Sequence, residues 1–126
     1  MPAMDGRDLR AFAHDAVLVM ESGGDPAAPG GAITVELCGH WDHEPPCPFA
    51  PHHTAASEVD GEVHVRTLFV VEPADEALAR ERIDVALGTG RLVGPDGRES
   101  CWQLRDSGPS AVRPEEVDHA RRMGAR

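Results

Sequence analysis

The segment GEVHVRTLFVV, residues 61–71, limits the folds open to this chain more than any other stretch. Val63, Val65, Phe69 and Val71 fall on one side of an alternating pattern, and His64 and Arg66 fall on the other. Side chains alternate across a strand, so the segment reads as a β-strand with one apolar and one polar face. The chain must therefore build a sheet and pack another layer against it.

The flanking segments supply that layer and further strands. DAVLVMES and GAITVELCGHW read as two strands joined by the loop GGDPAAPG, whose glycines and prolines break regular structure. In the second of these, Ile33, Val35 and Leu37 would face the core, and Thr34, Glu36, Cys38 and His40 would share the other face. PADEALARERIDVALGTG reads as a helix with an apolar stripe of Ala79, Ile83, Ala86 and Leu87. Glu76 and Arg80 stand at the favourable i,i+4 spacing, and Gly88 supplies a stop. RLVGPDGRESCWQL reads as a hairpin, because proline fixes φ and glycine accepts positive φ in its Pro-Asp-Gly turn. RPEEVDHARRMG reads as a closing helix, with acids in its first turn and Arg121 and Arg122 in its last.

The expected order is a strand meander, a helix, a hairpin and a terminal helix. That is an α+β fold: an antiparallel sheet with one or two helices packed on one face. Residues 1–126 are expected to form a single domain with a Cys/His/Pro-rich loop inserted at 38–53. A chain of 126 residues buries about two-thirds of the surface its unfolded form exposes, so its core needs no metal or disulfide. Aromatic residues supply only 4% of the chain and tyrosine none, which leaves that core to Val, Leu, Ile and Ala.

All twelve basic residues are arginine. Without lysine there is no Schiff-base chemistry and no phosphate-loop lysine. A formal net charge of −10 opposes a phosphate backbone and an anionic lipid surface, so neither nucleic acid nor membrane is an expected partner. The longest apolar run, Ala16 to Met20, is far short of the roughly 20 residues of a spanning helix. The N-terminal segment mixes acids with arginines and lacks the apolar stretch of a signal peptide, so the cytoplasm is the expected location. The three cysteines are then expected to stay reduced.

The segment CGHWDHEPPCPFAPHH, Cys38 to His53, draws the functional expectation. Cys38, His40, His43, Cys47, His52 and His53 offer six soft ligands, and zinc takes four from Cys and His. Their spacing, C-x-H-x2-H-x3-C-x4-H-H, departs from the C-x2-C of common fingers and ribbons. Four prolines stiffen the loop and lower the entropy lost on closing it around an ion. If the strand at 61–71 lies beside the strand ending at Cys38, His64 becomes either a further ligand or a group that orients one. The competing reading is a surface loop rich in histidine, with Cys38 buried as a small hydrophobe.

These residues point to a small zinc-binding protein whose metal-pinned loop, with Trp41 and Phe49, presents a surface to a protein partner. The alternative is a zinc-dependent hydrolase or lyase that acts on a small molecule through metal-activated water, with Glu44 or Glu58 as base. Copper also suits Cys and His ligands. Catalytic residues are not identifiable, since no G-x-S-x-G and no H-E-x-x-H is present. Cys101 reads as a packing residue, and His14 and His119 read as solvated.

Overall fold

A computed structural model describes residues 9–38, 51–94 and 96–124. The elements run β1 (Arg10–Met20), α1 (Ala28–Cys38), β2 (His52–Val59), β3 (Glu62–Val71), α2 (Glu76–Gly88), β4 (Arg91–Val93), β5 (Glu99–Ser110) and α3 (Val117–Gly124). Short 3₁₀ turns at Pro73–Asp75 and Pro114–Glu116 lead into α2 and α3. In each, proline sits where a helix start has no use for its missing N–H.

The five strands form one antiparallel sheet in the order β2-β3-β1-β5-β4. β3 lies between β1 and β2, and β1 lies between β3 and β5. The strands therefore interleave as two split β-α-β units, with α1 and α2 as the crossovers. The α+β class expected from the sequence is the class observed.

Both crossover helices cover the same face. Ala16 and Leu18 of β1, Val63, Val65, Phe69 and Val71 of β3, and Trp102 of β5 pack there. They meet Ala32, Ile33 and Leu37 of α1 and Ala79, Ile83, Ala86 and Leu87 of α2. Trp102 donates its indole N–H to the Leu87 carbonyl at 2.8 Å, which satisfies the one polar atom that the large ring brings into the core. On the opposite face α3 seats Ala120 over Leu68 and Val70, with Ala11 and Met123 alongside. Two helices thus pack on one face of the sheet, as expected, and α3 lies on the other.

GAITVELC is helical, not extended. Ile33 and Leu37, four residues apart, are both buried, whereas Val35 between them is only half-buried. The helix can seat this close because Gly30 carries no side chain: a Cβ there would lie 2.7 Å from Thr54 Oγ1 of β2. Two other features position side chains. Asp60 and Gly61, at φ of 51° and 82°, close the β2–β3 hairpin in a conformation that Asp and Gly tolerate. In the β1–β5 ladder Val17 pairs with Asp106 and Leu18 with Leu104, so Arg105 is a bulge residue.

Candidate functional site

The expected zinc loop does not stand. Cys38 closes α1 rather than a strand, so the alternation that set Cys38 and His40 on one face has no backbone to act on. The Cys38 side chain and His40, His43 and Cys47 lie outside the described residues, as do Trp41, Glu44 and Phe49. His52 and His53 are consecutive in β2 and point to opposite faces. His52 Nε2 hydrogen-bonds Thr34 Oγ1 of α1 at 3.0 Å, whereas the His53 ring meets that of His119 of α3 edge-on, 4.8 Å between centroids. His64 is exposed on β3, and among the described residues its ring comes near Glu62, at 3.9 Å. Among the described residues no group of three or more His, Cys, Asp or Glu side chains could hold a metal ion. The zinc-pinned contact surface and the zinc enzyme are both withdrawn on that finding.

His14 proves to be buried, 2% exposed, at the centre of a polar network between β1, α2 and β5. Arg80 Nη1 lies 3.0 Å from His14 Nδ1, and a guanidinium has donors only. Nδ1 therefore accepts, and Nε2 carries the ring proton. That N–H faces Ser107 Oγ at 2.9 Å and Asp84 Oδ1 at 3.1 Å, while the Ser107 hydroxyl donates to Asp84 Oδ1 at 2.6 Å. Burial lowers the His14 pKa, against the pull of Asp84, and so favours the neutral ring that the Arg80 contact requires.

Serine, histidine and aspartate thus touch one another without forming a nucleophile triad. A triad needs a histidine lone pair facing the serine, and here Arg80 occupies the only one. The serine proton goes to the carboxylate instead. The cluster is a clamp: Arg80 also bonds Glu76 and the Ala13 carbonyl and lies over the rings of Phe12 and Phe69. The sequence gives no hint of it, because its members are separated by up to 93 residues. The bulge at Arg105 makes it possible. Trp102 and Leu104 face the helices from even positions, and the extra residue brings odd-numbered Ser107 round to the same side.

On the other face, Arg66 spends all five of its N–H groups. Two go to Glu116, and the rest to Asp15, Ser110 and the Ala111 carbonyl. A guanidinium so saturated holds the start of α3 to the sheet and has nothing left for an anionic ligand.

Among the described residues, one feature suited to binding is a cleft of about 540 Å³ between the start of α1, the β4–β5 hairpin and Thr54 of β2. That volume lies within the roughly 300–1,000 Å³ of small-ligand sites. Its walls are pinned. Asp25 N–H donates to the buried Ser100 hydroxyl at 2.9 Å, and Asp25 Oδ1 accepts from Ala27 N–H at 3.0 Å. Asp96 Oδ1 accepts from Arg98 N–H at 2.9 Å, and the Arg98 guanidinium reaches across to the Gly23 carbonyl. Thr34, which holds His52, lines the inner wall, and Ala28 and Leu92 add apolar surface.

The electrostatics of the cleft disfavour anions. Asp25 and Asp96 outweigh Arg98, and that arginine is engaged with Gly23. At the start of α1, Ala27 N–H and Ala28 N–H are both spent on Asp25, and Pro29 has no N–H to offer. With the Gly31 N–H given to the Ala27 carbonyl as well, few N–H groups at this helix start are left to hold a phosphate. Among the described residues no helix is long and apolar enough to cross a membrane. Comparison of the chain with family models, with curated proteins and with solved structures finds no match.

Proposed function

We propose that this chain is a small-ligand-binding protein of the cytoplasm, which takes a compact polar molecule, cationic rather than anionic, into the cleft between α1 and the β4–β5 hairpin. The observation that carries the reading is the pinned, net-negative cleft. Two carboxylates and the hydroxyls of Thr34, Thr54 and Ser100 stand around apolar surface from Ala28 and Leu92. A ligand ammonium would replace its water shell with carboxylate oxygens while its carbon chain covers Leu92. Walls already held by hydrogen bonds lose little further freedom when the ligand enters, which favours affinity.

Three probes of one size test the charge preference: propylammonium, propanol and propionate. A ligand that binds only the folded state raises the melting temperature by mass action. Propylammonium is expected to raise it, propanol less, and propionate not at all. Asp96→Asn keeps the oxygen that accepts from Arg98 N–H and removes the charge, so the propylammonium effect should shrink without loss of fold. Equal shifts from propylammonium and propionate, or none from any probe, would rule the reading out.

A further inference from the structure

β2 ends the sheet on one side, and among the described residues its outer backbone is left open. Val70 N–H donates to the Pro51 carbonyl, and the ladder pairs His52 with Phe69 through Val59 with Glu62 without a break. Backbone groups alternate in direction along an antiparallel strand. His53, Ala55, Ser57 and Val59 therefore bond towards β3, and Thr54, Ala56 and Glu58 present N–H and C=O outward. Among the described residues no strand pairs with that side.

Sheets normally blunt such edges with short strands, bulges, proline or inserted charge. The far edge does so, since β4 has three residues. β2 has eight, its sequence HHTAASEV contains no Lys, Arg or Pro, and its register has no bulge.

We propose that a second copy of this chain pairs with β2 antiparallel, about a two-fold axis through Ala56, joining the two five-stranded sheets into one. Opposed residues then share a face, as pairing requires. Thr54 meets the partner's Glu58, Ala56 meets the partner's Ala56, and Ala55 meets the partner's Ser57. The middle of the contact is small and exposed in the single chain, so nothing needs to move. The ends are complementary: His52 of one strand lies opposite Asp60 of the other, on the face that also carries Glu58. No carboxylate faces a carboxylate. That self-complementarity selects a second copy over an unrelated extended peptide. Each chain carries a formal charge of −10, so the dimer should tighten as salt is raised and the overall repulsion is screened. The proposal shares only Thr54 with the cleft, and Ala56, on which its test turns, is not part of the cleft wall.

Sedimentation velocity across a range of chain and salt concentrations, with amide exchange, tests it. The wild type should move from one to two chain masses as either concentration rises, with exchange at Thr54, Ala56 and Glu58 slowing in step. Ala56→Pro removes an outward N–H from both copies at a position that bonds nothing in β3, and Ala56→Lys sets two ammonium groups face to face. Both should stay monomeric with an unchanged circular dichroism spectrum, and Ala77→Lys on the exposed side of α2 should still dimerise. If Ala56→Pro misfolds, Ala56→Lys decides alone. A wild type that remains monomeric throughout, a dimer that survives Ala56→Lys, or edge protection that appears only on adding an unrelated peptide would overturn the proposal.

Discussion

Arg66 grips Glu116 with two charge-assisted hydrogen bonds, Nε to Oε2 at 2.8 Å and Nη2 to Oε1 at 2.7 Å, and so fastens the approach to α3 onto the middle of the sheet. Both side chains are mostly shielded, at 14% and 19% exposure, so water screens the pair only in part. The hydrogen bonds from Arg66, joined by Arg113 N–H, hold the Glu116 pKa down from 4.5 to about 2.

A depressed carboxylate pKa contributes stability in full above its unfolded value and loses it as pH falls towards the folded one. The contribution of Glu116 is therefore present above pH 4.5 and fades between 4.5 and about 2. Glu116→Gln should cost roughly 1–3 kcal/mol at neutral pH and flatten the acid limb of the stability curve in that window. Urea melts at stepped pH would measure both. An acid limb unchanged by the substitution would show that Glu116 is not the group being titrated.

The His14 clamp has the same sign by a different route. Burial lowers the imidazole pKa below 6.5, so the unfolded chain takes up the proton first and stability drops as pH falls below 6.5. Long-range ¹⁵N correlation spectra should find the proton on Nε2 at neutral pH. Ser107 should resist a fluorophosphonate, which phosphonylates activated serines with loss of fluoride, because no imidazole lone pair faces it. His14→Ala should lower stability by about 2–4 kcal/mol, through the cavity and the donors left unpaired. Rapid labelling of Ser107 would reverse the tautomer assignment.

Gly30→Ala should push α1 away from β2, since the added Cβ would come within 2.7 Å of Thr54 Oγ1 and 3.2 Å of its Cβ. Overpacking of this kind typically costs about 1–3 kcal/mol. Thr54→Ala removes the closer atom, so the double variant should recover a large part of the loss, and a double-mutant cycle by chemical denaturation would quantify the coupling.

Most of the scaffold is legible in the sequence where periodicity is strong. The segment 61–71 is β3 with its expected apolar face, and the stripe of Ala79, Ile83, Ala86 and Leu87 is the buried side of α2. The hairpin and the terminal helix also fall where the pattern puts them. α1 reads wrongly because Ile33, Val35 and Leu37 alternate and are largely β-branched. Burial of Ile33 and Leu37 against the sheet outweighs that local preference. β2 is hidden for the opposite reason: an edge strand of Thr, Ala and Ser has too little apolar contrast to show a period. The Asp-Gly pair at 60–61 is the one local signal that marks its end.

The candidate site is less legible than the scaffold. The ligand types between Cys38 and His53 suggest convergence, but convergence depends on backbone direction, and one of the two segments assumed to supply it is a helix. His14 was expected in solvent because it stands beside Asp15. Its partners come from α2 and β5, and only the sheet order brings them together. The cleft combines three segments distant in sequence, of which only the Pro-Asp-Gly turn has a local signature.

The bulge at Arg105 means that β5 runs in two reading frames. Up to Leu104 the even positions face the helices, and from Ser107 onward the odd positions do, with a single residue acting as the spacer between them. What the fold demands at 105 is therefore a count rather than a chemistry. Many side chains would serve there, whereas loss of that one residue would turn Ser107 outward, leave His14 and Asp84 without their common neighbour, and shift every later position of the strand onto the wrong side of the sheet.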